Sequence, residues 1–342
     1  MKTLHIIHLG IGHVGKTLIK QILEFNKKNK DFYLQYCGLF NSHIGIFQKK
    51  GLSENEIRNF PSEGGANPQD TIENITNPFL LIDTTASEAT ANYLVETLRR
   101  GAYIVLSNKK PLSDRQKQFD TLHKLGSSRL FYETTVGAGL PIIHTLKTLL
   151  GTGDKIISIE GCFSGTLGFI FSSLEDGLRF SQALNLAKEK GYTEPDPRDD
   201  LGGLDVARKA LILARLMGMN LELSQIKLQK LYPLELENIS VEQFMSKIPS
   251  LDKDYEERIN KAQKNGKTLR YIARIAKDGC SVGLKEVSKS TDLGNLKGPD
   301  NIISFKTKRY FDNPLVIKGP GAGPQVTAAG VLGDILKIGG IL

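Results

Sequence analysis

Between the apolar run LHIIHL and the amphipathic run KTLIKQILEF lies GIGHVG, which sets Gly10, Gly12 and Gly15 in G-x-G-x-x-G spacing. A strand that turns through such glycines into a helix brings backbone N–H groups up to a pyrophosphate at the helix N-terminus. The third glycine lets helix and strand pack closely. The chain then alternates FYLQYCGLF, FLLIDTTAS and AYIVLSN, which read as strands, with helical stretches such as ATANYLVETLRR. That alternation predicts a parallel sheet with crossover helices, so the turn reads as an adenine-dinucleotide site and not as an isolated glycine bend.

An acidic residue about 20 positions after such a turn usually holds the ribose 2′-hydroxyl. No Asp or Glu occurs from Phe32 through Ser53; Asn41, Ser42 and His43 follow the second strand, with Lys49 and Lys50 nearby. A missing carboxylate removes a repulsion against a 2′-phosphate, so NADP is favoured over NAD, although no Arg stands where a phosphate clamp is expected.

At 342 residues the chain has room for two domains. No apolar run approaches the roughly 20 residues of a membrane span, and the start lacks the pattern of a signal peptide. A cytoplasmic protein is expected. Cys37, Cys162 and Cys280 lie far apart in apolar surroundings, which predicts buried free thiols. The net charge of +8 is scattered among acids, with KKNK from Lys27 to Lys30 suited to a helix C-terminus, so nucleic acid is not an expected partner.

The fold class expected is α/β: a Rossmann-type dinucleotide-binding domain with an inserted α+β substrate-binding and dimerisation domain. The boundaries predicted are 1–140 for the first, 141–315 for the second, and 316–342 for a C-terminal segment that returns to the nucleotide-binding domain.

The stretch EPDPRDDLGGLDVARK, Glu194 to Lys209, gathers acids in a proline-stiffened loop and at the mouth of a helix, and leaves Asp205 and Lys209 one turn apart on one face. Alone, an Asp four residues before a Lys is a surface ion pair worth about 0.3–0.5 kcal/mol, and Asp199 with Asp200 reads as a helix cap. The block does not stand alone. DTTAS at Asp83, SNKKP at Ser107, YETTVGAGLPII at Tyr132, GTLGFIF and GPGAGPQVTAAGVLGDIL accompany it in order along nearly the whole chain. Together they resemble homoserine dehydrogenase.

The resemblance implies NAD(P)-dependent interconversion of L-aspartate 4-semialdehyde and L-homoserine, in threonine and methionine biosynthesis, by a homodimer. It places cofactor contacts on Gly10, Ile11, Gly12, Val14 and Gly15, on Thr84, Thr85 and Lys109, and on Gly323. It places a sodium site on Glu133, Val136, Ala138 and Leu140. Glu194 becomes the substrate-binding acid with Asp199 or Asp200 behind it, where a carboxylate suits the homoserine ammonium. Asp205 and Lys209 become the proton-transfer pair, and Lys109 joins them as a second candidate amine.

Two departures stand out: Gly168 and Phe169 where the family carries a small polar residue and Tyr, and Thr84 where Asn is common. The chain resembles the short monofunctional form, without a regulatory domain or attached kinase, so little inhibition by threonine is expected. The rival expectations are an oxidoreductase of the same build for another amino-acid aldehyde and a dinucleotide-binding protein without turnover.

Overall fold

A computed structural model describes residues 2–60 and 63–341. The chain divides into two compact units, 1–139 with 322–342, and 140–321.

The first unit is built on strands β1 (Lys2–Leu9), β2 (Phe32–Phe40), β3 (Gly45–Phe47), β4 (Phe79–Asp83), β5 (Tyr103–Leu106) and β6 (Leu130–Phe131), in the order β3-β2-β1-β4-β5-β6. All neighbours are parallel except β2 and β3. β4 is buried along its whole length, as a strand covered on both faces must be. The order reverses beside β1, so the crevice beyond the C-terminal ends of β1 and β4 is where an open sheet of this kind takes its ligand. The helix His13–Lys28 follows β1 and ends on Lys27 and Lys28, which suit the negative end of its dipole. Its Leu18 and Ile22 share a core with Leu4, Ile6 and Leu34 of the sheet.

The second unit carries β7 (Ile156–Cys162), β8 (Lys227–Leu228), β9 (Lys267–Ala276), β10 (Gly279–Ser288), β11 (Asp300–Thr307) and β12 (Leu315–Pro320), in the order β12-β11-β7-β9-β10-β8. These neighbours are antiparallel except β10 and β8, which makes the unit α+β. The helix Leu204–Leu216 is apolar around most of its circumference and accordingly buried, with Lys209 inside that buried set.

The C-terminal segment divides differently from the expected start at 316. β12 pairs along β11 from Leu315 to Pro320, and those backbone hydrogen bonds keep it in the second unit. The return begins at 322, and the helix Pro324–Ile341 places Ala328, Val331, Ile335 and Ile338 in the core of the first unit. Cys37, Cys162 and Cys280 are buried and unbridged, with thiols pushed up by burial to about 11, 12 and 12. Among the described residues no helix is long and apolar enough to cross a membrane.

Candidate active site

In the first unit, Gly10 takes φ +98°, and a Cβ there would lie 2.7 Å from the backbone of Thr84 and Thr85. A Cβ on Gly15 would meet the Gly10 carbonyl oxygen at 2.2 Å, so the helix docks on the turn only with glycine at that place. Gly12 faces open space instead and caps the helix His13–Lys28 with no side-chain hydrogen bond. Close backbone approach, an uncapped helix N-terminus and room for a ligand are what a pyrophosphate requires. Ile11 is buried beneath the turn and Val14 half-buried in the helix's first turn.

Thr84 and Thr85 continue from β4, and Lys109 begins the short helix after β5. Both loops are knotted by Asp83, which is wholly buried. Its Oδ1 accepts from the Thr85 N–H (2.9 Å) and hydroxyl (2.7 Å). Its Oδ2 accepts from the Thr90 hydroxyl (2.7 Å) and Asn108 Nδ2 (3.0 Å). Asn108 also donates to the Ser87 carbonyl at 2.7 Å. Neither Asp83 nor Asn108 was singled out from the sequence; a carboxylate at the buried end of an apolar strand is the signal for such a knot. Gly323 has φ +117°, and its carbonyl accepts from Thr327 in the first turn of the last helix.

Asn41 stands where the ribose-binding acid was sought. Its side chain accepts from the N–H groups of His43 and Ile44, both at 2.7 Å, and so shapes the turn after β2.

Glu133, Val136 and Ala138 are buried in the turn after β6, where Gly137 (φ +78°) and Ala138 (φ +54°) are both left-handed. Glu133 donates its N–H to Asp334 at 2.9 Å, and its carboxylate lies 3.9 Å from Lys337. Leu140 opens the second unit. Among the described residues no cluster of His, Cys, Asp and Glu is arranged to hold a metal, so a cation at this turn would rest on backbone carbonyls.

In the second unit the acidic block is brought together. Lys209 is 8% exposed. Its Nζ donates to the Phe163 carbonyl at 2.7 Å and lies 2.7 Å from Asp205 Oδ2. An ammonium taken out of water is tolerable only when paired in this way, so the Asp205–Lys209 pair is not an ornament of the solvent face. Asp205 keeps nearly half of its side chain exposed. At the start of the same helix Gly203 is left-handed, and a Cβ would collide with the Tyr271 hydroxyl at 2.0 Å.

The loop before that helix is held by Arg198, another residue the sequence did not mark. Its guanidinium grips Asp196 (2.7 Å from Nη2) and donates to the carbonyls of Glu237 (2.8 Å) and Ile239 (2.6 Å). Asp200 accepts the Glu194 N–H at 2.8 Å, so the two acids expected to act together are joined. Burial pushes the Asp200 carboxyl up to about 6; the Glu194 N–H and the Thr166 hydroxyl oppose this, and the charges of Glu194 and Asp205 reinforce it. Asp199 is exposed on the short helix Arg198–Leu201 and is not drawn into this group. Phe169, in place of the expected Tyr, packs edge-on against Tyr192 with ring centroids 5.1 Å apart.

Two family models match: residues 10–133 match "Homoserine dehydrogenase, NAD binding domain" and residues 141–336 match "Homoserine dehydrogenase". The chain is 40% identical to the chloroplastic bifunctional aspartokinase/homoserine dehydrogenase 1 of Zea mays over 99% of its own length, and spans 39% of that relative's length. It is 38% identical to the homoserine dehydrogenase of Schizosaccharomyces pombe, with 96% of this chain and 94% of that one covered. A solved Candida auris structure described as of unknown function superposes with a TM-score of 0.93 at 32% identity, covering 99% of both chains. With a family model over the second unit, another over the dinucleotide fold, and a relative matched nearly end to end, the chain belongs to the homoserine dehydrogenase family.

Proposed function

We propose that the chain catalyses NAD(P)-dependent interconversion of L-homoserine and L-aspartate 4-semialdehyde. The observation that carries this reading is Lys209, an amine buried between the Phe163 carbonyl and Asp205. Glu194 and Asp200 offer negative charge to the substrate ammonium. In the oxidative direction neutral Lys209 takes the substrate's hydroxyl proton, and in the reductive direction its ammonium returns one to the forming alkoxide. Asp205 fixes the direction of that amine. The nicotinamide supplies the hydride acceptor or donor. Gly10 to Gly15, Thr84, Thr85, Lys109 and Gly323 hold the dinucleotide, and Lys109 is the second candidate amine in the first unit.

A sodium ion at Glu133, Val136, Ala138 and Leu140, and a homodimer formed through the second unit, complete the proposal. Titration with sodium chloride against choline chloride at constant ionic strength tests the ion. Absorbance of the reduced nicotinamide with L-homoserine and each oxidised cofactor tests the activity; absence of signal with both cofactors rejects it.

Cofactor choice follows from Asn41. NADP is expected to be used at least as well as NAD. Asn41→Asp keeps the acceptor that shapes the turn but adds a charge, worth about 1 kcal/mol of repulsion per phosphate charge a few Å away in water. It should lower the NADP-to-NAD ratio of specificity constants by on the order of tenfold. An unchanged ratio would place the ribose elsewhere.

The raised Asp200 carboxyl has two consequences. A cation binds the ionised form better, so the KM for homoserine should rise as pH falls through about 6, and Asp200→Asn should flatten that dependence. The folded chain also retains a proton that the unfolded chain has already lost. Stability therefore declines as pH rises from the ordinary Asp range through about 6, then becomes level. Denaturation midpoints of Asp200→Asn and the parent across this window check the sign: the variant should gain relative stability towards pH 7.

A further inference from the structure

His8 lies in β1, wholly buried, one strand residue short of the glycine turn's approach. Its Nε2 is 2.9 Å from Thr84 Oγ1. The Thr84 hydroxyl is in turn 2.7 Å from the Gly10 carbonyl oxygen, with the Leu9 carbonyl as a poorer acceptor at 3.3 Å. We propose that His8 is a positioning residue for the dinucleotide, which acts through Thr84 to fix the plane of the Gly10–Ile11 peptide.

The proton inventory gives the direction of the relay. A threonine hydroxyl has one proton to donate, and a neutral imidazole has one N–H. If Nε2 accepted, the Thr84 proton would be drawn from Gly10, and Nδ1–H would become a donor in a place where Nδ1 has no partner. If Nε2–H donates, Thr84 is left to donate to Gly10, and only an imidazole lone pair lacks a partner. The second arrangement leaves fewer buried groups unsatisfied. Burial pushes the imidazole down to about 3, so it remains neutral at working pH, and Tyr36 stacks beside it at 6.1 Å without supplying a charge.

The peptide geometry turns this into function. In a trans peptide the C=O of Gly10 and the N–H of Ile11 point in opposite directions. Anchoring the carbonyl on Thr84 therefore turns the Ile11 N–H away from Thr84, just before Gly12, which caps the helix with no side-chain hydrogen bond. The Gly10 N–H is already engaged by the Phe40 carbonyl at 2.8 Å, so the peptide plane after Gly10 is the adjustable part of the turn. Thr84, one of the departures from the family pattern, is the side chain that makes the link.

The inference rests on the proposed dinucleotide function, so binding is measured apart from turnover by the fluorescence of NADPH and NADH on titration with protein. His8→Leu, which fills the space without a donor, should weaken that binding by about three- to tenfold, the effect of one internal hydrogen bond. The KM for homoserine should be unchanged. His8→Gln, whose amide nitrogen lies as many bonds from Cα as Nε2 does, should recover binding to within about twofold. Thr84→Val should weaken binding at least as far as His8→Leu, since Thr84 is also a proposed cofactor contact, and the double variant should be no worse than Thr84→Val alone, because one chain of bonds is broken once.

Parent-like binding by folded His8→Leu, losses that multiply in the double variant, or failure of His8→Gln to recover would each overturn the relay. Should His8→Leu not fold, Thr84→Val at its half-buried position and His8→Gln decide by the same criteria. A parent protein that binds NADPH but does not oxidise homoserine would defeat the proposed activity and leave the relay standing.

Discussion

Replacing Lys209 by methionine should lower turnover by roughly 10²–10⁴, the usual contribution of a positioned proton donor or acceptor, while dinucleotide binding stays within about twofold of the parent. Methionine is the better choice than alanine because Lys209 is buried, and a truncated side chain would add the cost of a cavity to any loss of chemistry. The substitution does leave Asp205 without its ammonium, but that carboxylate is nearly half exposed and can be hydrated. Folding is therefore expected to survive. The glycine turn belongs to the other unit and does not include Lys209, so NADPH titration reads the cofactor site without requiring turnover. Asp205→Asn should lower turnover less, since the Phe163 carbonyl still directs the amine. Turnover within a factor of three of the parent in Lys209→Met would remove the amine from the reaction and reduce the pair to a structural one.

What could be read from the sequence, and what could not, divides along the range of the interactions. The glycine turn is local: its three glycines, the strand before it and the helix after it are contiguous, so spacing alone shows the geometry that Gly10 and Gly15 adopt. The same holds for the i, i+4 relation of Asp205 and Lys209. Their burial is not local. It arises because the helix Leu204–Leu216 is apolar on nearly every side and because the Phe163 carbonyl, 46 residues earlier in the chain, meets Nζ. Arg198 looked like one more charge in an acidic loop; its role depends on the carbonyls of Glu237 and Ile239. His8 and Asn108 were hidden for the same reason, since each is defined by a partner from a neighbouring strand or the loop that follows it, and the knot at Asp83 closes only when Asn108 reaches it from the loop after β5. The end of the second unit was placed too early because LVIKGP reads equally well as a strand of either sheet, and only pairing with β11 decides.

The acidic loop gives the second large effect. Glu194 is exposed, yet its backbone is fixed: its N–H is held by Asp200, while Arg198 pins the same loop to residues 237 and 239. A carboxylate on a rigid, open loop suits recognition of a small cation better than proton transfer, because it is accessible and does not have to move. Glu194→Gln keeps the size and the backbone bond and removes only the charge. The loss of a charge-assisted hydrogen bond should raise the KM for homoserine by roughly 10- to 100-fold. Turnover at saturation should change little, since the ammonium is held alike in ground state and transition state. A second readout separates this from general damage. The Glu194 charge is one of the causes that hold the Asp200 carboxyl up, so its removal should move the acid inflection in homoserine KM below about 6. A fall in turnover with KM unchanged would mean that Glu194 serves the chemical step and that the ammonium is recognised elsewhere. A raised KM with an unmoved inflection would assign the inflection to a group other than Asp200.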